Sequence, residues 1–190
     1  MTALVRPATV DDLDACVELF AQVVEEGRWL GAEAPLDLAA RREFLAGAID
    51  SDRAALIVAA DGDRIVGYLG LQVAGYGVAE FGMCVAAAYR RQGVGSALVG
   101  AAIDTSRRLG AHKIACQVWP HNAGARRLYR RLGFVEEGRL RRHYRRRNGE
   151  LWDAVVMGLV LDAEAAGSSF PDDGLEPAGP GPDGEAAGRG

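Results

Sequence analysis

Tyr89-Arg90-Arg91-Gln92-Gly93-Val94-Gly95-Ser96 joins a short β-prone run, Phe81 to Val85, to a helical one, Ser96 to Leu109. Along the latter, Leu98, Val99, Ala102, Ile103, Ser106 and Leu109 share a face, and Gly110 stands where a C′ glycine belongs. Glycines in a strand-to-helix turn let backbone approach a ligand closely, and the free N–H groups of the first helical turn point at it. With the positive end of the helix dipole and two adjacent arginines, the chemistry is that of a site for a pyrophosphate-like anion. The plainer alternative is a glycine turn with a solvated arginine pair. The pattern is not a Walker loop, because no Gly-Lys-Ser/Thr follows. It is not a dinucleotide fingerprint either, because the third glycine is missing.

A second constellation runs from Asn122 to Phe134. Ala125, Leu128 and Leu132 form an inner helical stripe with Tyr129 beside it, and Gly133 ends the helix. Asn122 suits either a helix cap or a hydrogen bond to a ligand amide. Taken alone, Tyr129 reads as an aromatic at the edge of the core with its hydroxyl hydrogen-bonded.

Together, Arg-x-x-Gly-x-Gly and, downstream, Asn-x-x-Ala-x-x-Leu-Tyr-x-x-x-Gly-Phe resemble the GNAT superfamily of N-acetyltransferases. The resemblance covers Leu4 to Leu161 and is strongest from Phe81 to Phe134. The ending, Glu137-Gly138 through Arg147-Asn148-Gly149-Glu150-Leu151-Trp152-Asp153 to Met157, is similar to bacterial members that acetylate amino acids, their analogues or polyamines. The resemblance implies acetyl-CoA as co-substrate and no metal. Backbone groups of Met83, Cys84 and Val85 would pair with pantetheine as an added strand does. The Arg90–Arg91 pair and the amides from Arg91 through Gln92, Gly93, Val94 and Gly95 to Ser96 would hold the pyrophosphate. Asn122 and Arg126 complete the cofactor set, and Tyr129 would lie near the sulfur.

Moving an acetyl group from a thioester to an amine needs a neutral amine, and an alkylamine with a pKa near 10 is only about one part in a thousand neutral at pH 7. A proton acceptor therefore helps. Attack forms a tetrahedral oxyanion that a backbone N–H near Cys84 or Val85 could stabilise. The thiolate leaves with a pKa of roughly 8.5, and Tyr129 is the expected proton donor. Some relatives carry a glutamate where this chain has Gln117, which takes no proton at physiological pH. Glu80 is the expected substitute, with a water chain as the alternative. Glu25, Glu26 and Glu33 in an early loop are candidates to bind the incoming amine, and Arg28 and Trp29 join Glu26 in the acceptor set. Cys84 would act through its backbone rather than as a nucleophile.

The elements that position these groups follow from period and punctuation. Leu4-Val5-Arg6 predicts a short strand. Thr9 or Asp11 caps a helix from about Asp12 to Glu26, with Leu13, Cys16, Val17, Phe20, Val23 and Val24 at helical spacing. A loop to Pro35 precedes a second helix, Asp37 to Ile49. Ala55 to Ala60 and Arg64 to Val73 predict a hairpin around Asp61-Gly62. His112 to Trp119 predicts another strand, and the resemblance implies that it parts from Phe81–Val85 to open the slot. Phe134 to Tyr144 and Leu151 to Leu161 predict a last hairpin through Asn148-Gly149. Arg139, Arg141, Arg142, Arg145, Arg146 and Arg147 around His143 are expected on a solvated hairpin. Alternation sends them to both faces, so a single stripe for nucleic acid is not implied, and the alternative to a solvated hairpin is one arginine gripping an acceptor carboxylate.

The chain has 190 residues, about half of them apolar, enough for one sizeable core. The expected fold is α/β (α+β): one domain over residues 1–161, with a mixed sheet of about six to seven strands, which the resemblance implies is splayed at the cofactor slot, and about four flanking helices. Residues 162–190 read as a disordered acidic, Gly/Pro-rich tail. That tail carries −6 of a net charge of −4, which leaves the rest at about +2. The absence of a signal-like or long apolar segment predicts a soluble, cytoplasmic protein. Cys16, Cys84 and Cys116 lack metal spacing and predict free, mostly buried thiols. The expected partner is a small-molecule amine, with no nucleic acid and no membrane, and a homodimer is left open. Two other activities stay open at this stage: acetylation of a protein N-terminus or lysine, and a catalytically silent acyl-CoA-binding regulatory module.

Overall fold

Ala54–Asp61 (β2) and Arg64–Val73 (β3) form the hairpin predicted around Asp61-Gly62, closing through Gly62 at φ 59°. In this computed structural model, which describes residues 3–161, the hairpin belongs to a seven-stranded sheet. The other strands are Leu4–Pro7 (β1), Val78–Val85 (β4), Lys113–Val118 (β5), Val135–Arg145 (β6) and Leu151–Val160 (β7). The spatial order is β1-β2-β3-β4-β5-β7-β6. Every neighbouring pair is antiparallel except β4 and β5. This is the mixed sheet that the sequence predicts. The tail expected beyond Asp162 lies outside the described residues.

Four helices cover the two faces: Leu13–Glu25 (α1), Leu38–Ala46 (α2), Val94–Arg108 (α3) and Ala123–Arg131 (α4). Beneath α1 and α2, Leu13, Cys16, Phe20 and Leu45 pack on Leu56, Val58, Tyr68 and Cys84 of the sheet. On the opposite face Leu98, Val99 and Ala102 of α3 and Tyr129 of α4 meet Val66, Leu69, Ile114 and Met157. The result is a three-layer α/β/α domain, in which side chains alternating along each strand serve two separate cores.

Several boundaries differ from the sequence reading, each for a local reason. A 3₁₀ turn, Val10–Asp12, precedes α1, and the Asp12 carboxylate accepts from the Thr9 N–H at 2.8 Å. Asp37 caps α2 by accepting from the Ala40 N–H, but Gly47 ends that helix before the predicted Ile49. The strand predicted from Phe81 starts earlier, at Val78, because a tight turn ending in Gly77 (φ 80°) pairs Ala79 with Val73 at once. The arginine hairpin is not wholly solvated. Arg146 is buried, with its guanidinium 4.4 Å from the Trp152 ring centroid, and it donates to the carbonyls of Leu30 and Gly31.

Candidate active site

The parallel pair β4 and β5 parts after three residues. Val78, Ala79 and Glu80 register with Lys113, Ile114 and Ala115, and pairing ends there. Yet β4 stays bonded to β3 through Val85, and β5 to β7 through Val118. From Phe81 to Val85 one edge of β4 therefore carries backbone groups without a neighbouring strand. The gap is the slot expected between these two strands, and Met83, Cys84 and Val85 border it. Unpaired donors and acceptors along such an edge suit an elongated ligand that pairs as a strand does.

Immediately beyond, the chain turns into α3. Arg91 lies at φ 62° and Gly93, the N-cap, at φ 90°. No side chain caps this helix and its first turn holds no acid. The leading amides, including those of Gly95 and Ser96, therefore face outward without an internal partner, and the helix dipole adds positive potential. A Cβ on Gly95 would meet Leu128 Cδ1 at 3.1 Å and Met83 Cε at 3.5 Å, so glycine lets α3 start close against α4 and β4. Val94 anchors the turn in the core, while Gln92 Nε2 donates to the Ala88 carbonyl. Asn122 accepts from the Ala125 N–H at 3.1 Å, which is the capping alternative, and its amide nitrogen remains for a ligand. Arg126 donates to the Pro120 carbonyl and to Glu136, and its Nε is buried without a partner.

The two faces of the slot differ in chemistry. On the α3/α4 side Tyr129 is buried at 6% exposure, with its ring 5.6 Å from that of Phe81 and its hydroxyl beside the Cys116 thiol. It thus touches both strands where they part. Burial pushes its phenol above the ordinary value, so the proton stays on at neutral pH. Burial likewise lifts the Cys84 thiol to about 11 and the Cys116 thiol to about 12, so neither is a thiolate nucleophile. On the α1/α2 side stand Glu80, Gly82 and Gln117. The Gln117 Oε1 accepts from the Tyr144 hydroxyl at 2.7 Å. Glu80 and Gly82 border a cleft of about 970 Å³ whose wall is α2. The predicted base, Glu80, and the predicted acid, Tyr129, therefore approach the slot from opposite faces.

Across the slot's mouth runs the segment between α1 and α2. Glu26 receives both terminal nitrogens of Arg90, at 2.7 and 2.5 Å, and the Trp29 indole N–H. The Arg28 carbonyl bonds His121 Nε2, and Glu33 accepts from the Arg147 N–H and pairs with Arg146. Trp119, Tyr144 and Trp152 pack edge-on beneath, with ring centroids 5.0 and 5.3 Å from Trp119. The residues assigned to acceptor and cofactor thus meet each other, pinning the segment to the ends of β4 and β5. Sequence reasoning gave no role to Arg41 and the facing pair Gly70–Gly82 of the α2 cleft, or to Tyr68 buried beside Arg41. The available signal was two glycines inside strands, which marks a close approach or a hollow.

Among the described residues no group of three His, Cys, Asp or Glu side chains gathers as metal ligands do, and no helix is long and apolar enough to cross a membrane. An uncapped glycine-led helix start, joined to a strand edge that has no neighbouring strand and on which Arg90 Nε takes the Val85 carbonyl, fits an extended carrier ending in linked phosphates. Comparison with known proteins agrees. The L-amino acid N-acetyltransferase AaaT of Escherichia coli (strain K12) is 36% identical over 110 residues, spanning 55% of this chain and 67% of that protein. The L-methionine sulfoximine/L-methionine sulfone acetyltransferase of Pseudomonas paraeruginosa is 27% identical over 85% of this chain and 96% of its own. Among solved structures, an acetyltransferase from Salmonella typhimurium with its cofactor acetyl-CoA superposes with a TM-score of 0.78 at 22% identity, covering 90% of this chain and all of that one. Residues 18–134 match the acetyltransferase (GNAT) family, and with the fold and the splayed strands in agreement, the chain belongs to that family and is an acetyl-CoA-dependent N-acetyltransferase.

Proposed function

We propose that the protein acetylates the primary amine of a small molecule, an amino acid, an amino-acid analogue or a polyamine, by direct attack in a ternary complex. The observation that carries this reading is the gap between β4 and β5, flanked by Tyr129 on one face and by Glu80 and an open cleft on the other. Two reactants can then meet at the gap from opposite sides. The relatives named for amino-acid and methionine sulfoximine acetylation support the acceptor class.

Acetyl-CoA supplies an activated acetyl thioester when bound; the rest falls to this chain. Leading amides of α3 and Arg91 hold the linked phosphates, and the free edge at Met83–Val85 aligns the pantetheine arm. The N–H groups of that edge also offer donors to an oxygen that gains charge. Glu80, directly or through water, takes the proton that the amine loses as the C–N bond forms. Tyr129 gives its proton to the sulfur as the C–S bond breaks. Thermal melting with acetyl-CoA, followed by thiol release across a panel of primary amines, tests the reading. Raised stability plus amine-dependent thiol release is expected. Stabilisation with no turnover on any amine points instead to an acyl-CoA-binding module.

A further inference from the structure

Arg41 is a half-buried cation whose donors are mostly unspent. It rises from α2 into the cleft that also holds Glu80, Gly70 and Gly82. Its Nη2 donates to the buried Tyr68 hydroxyl at 2.9 Å, and that is its only side-chain hydrogen bond to the described residues. The Nε–H is buried with no partner. Three aromatic rings fix the guanidinium: Phe20 at 4.2 Å, Phe44 at 5.2 Å and Tyr68 at 5.9 Å from their centroids. A clip for Tyr68 would need one nitrogen.

The floor beneath is hollow by sequence. Gly70 and Gly82 are directly paired across β3 and β4. A Cβ at Gly82 would meet nothing within 4 Å, and one at Gly70 only Leu56 Cδ1 at 3.9 Å. Two facing glycines thus remove the side chains that would otherwise close the space between α2 and the sheet. Along the cleft a planar, preorganised cation and the carboxylates of Glu43 and Glu80 take separate places, and none of these acids pairs with Arg41. The arrangement complements a molecule that carries an anion at one end and an amine at the other.

Resting on the amine-acetylation reading above, we propose that Arg41 binds the carboxylate of an amino-acid acceptor in the hollow over Gly70 and Gly82, orienting its amine toward the gap beside Glu80. A guanidinium offers a carboxylate two parallel donors, which an ammonium group cannot. It also repels a polycation, so the site selects amino acids and their acidic analogues over polyamines.

The test is thiol-release kinetics on matched acceptors: L-methionine, L-methioninamide, 3-(methylthio)propylamine and spermidine, with wild type, Arg41→Gln and Arg41→Lys. Wild type is expected to favour the free acid over its amide and decarboxylated amine by at least tenfold in kcat/KM. Arg41→Gln should collapse that preference through KM, while Arg41→Lys retains part of it. Equal use of acid, amide and amine by wild type overturns the assignment while leaving amine acetylation intact, and so does an unchanged acid preference in Arg41→Gln. If no acceptor releases thiol although acetyl-CoA raises the melting temperature, both readings fall. Should Arg41→Gln not fold, the wild-type preference and Arg41→Lys still decide.

Discussion

Arg90 holds Glu26 in a two-pronged ion pair that spans 64 positions of sequence. It also donates from Nε to the Val85 carbonyl, at the end of β4, at 2.9 Å. One residue was expected on the cofactor and the other on the acceptor; joined, they tether the α1–α2 segment over the slot. The guanidinium lowers the Glu26 carboxylate below its usual value, so the pair persists across the neutral range. Both side chains are about 30% exposed, which limits the pair to roughly 1 kcal/mol or less. Glu26→Gln should therefore scarcely change the melting temperature. It should raise KM for the amine several-fold and speed proteolysis between residues 26 and 35. A large fall in stability with unchanged KM would contradict the tether.

Tyr129→Phe removes one hydroxyl and leaves the edge-on packing against Phe81 intact. We expect kcat to fall about 100-fold, the lower range for a positioned proton donor, with the acetyl-CoA melting shift preserved. Unchanged kcat would return Tyr129 to a purely structural role.

Cys84 sits 4% exposed on β4, with burial raising its thiol to about 11. At pH 7 roughly one molecule in ten thousand carries the thiolate. Cys84→Ala should keep activity within about threefold of wild type and form no acetylated protein intermediate detectable by mass spectrometry. Loss of turnover in a folded variant would favour a covalent route.

For Glu80→Gln we expect kcat/KM for a simple alkylamine to drop 10- to 100-fold at pH 7. The deficit should shrink toward pH 10, where the amine loses its own proton and needs no acceptor. A constant deficit across that range would mean that Glu80 shapes the cleft rather than moving protons.

Asp12 gives a stability prediction with a fixed sign. The Arg6 guanidinium, bonded at 2.6 and 2.8 Å, together with the Thr9 N–H, lowers its carboxyl to about 2. A depressed carboxyl stabilises the fold above the unfolded pKa of about 3.9, and that stability is lost as pH falls through the folded value. The contribution at neutral pH is about 2 kcal/mol. Asp12→Asn should be destabilised at pH 7 and show less acid sensitivity between pH 4 and pH 2 in urea melts.

Much of this architecture is legible in residue order. The Asp61-Gly62 turn, the Asn122 cap and the glycines at 93 and 95 are local signals, and they locate the β2–β3 hairpin, α4 and the start of α3. What stayed hidden is set by contacts distant in sequence. Val78 joins β4 where Lys113 of β5 registers with it. Arg146 looks solvated in a run of arginines, yet Trp152 and the carbonyls of Leu30 and Gly31 enclose it. Arg41 is one charge in line with Leu38, Leu45 and Ile49 until α2 lies over two paired glycines. Nothing local in the chain reports that juxtaposition.

A crystal structure with coenzyme A tests the account most directly. It should place the linked phosphates on the amides between Arg91 and Ser96, the pantetheine arm along Met83–Val85, and the sulfur between β4 and β5 near Tyr129. Phosphates on the Arg139–Arg147 hairpin, or a thiol remote from that gap, would contradict it.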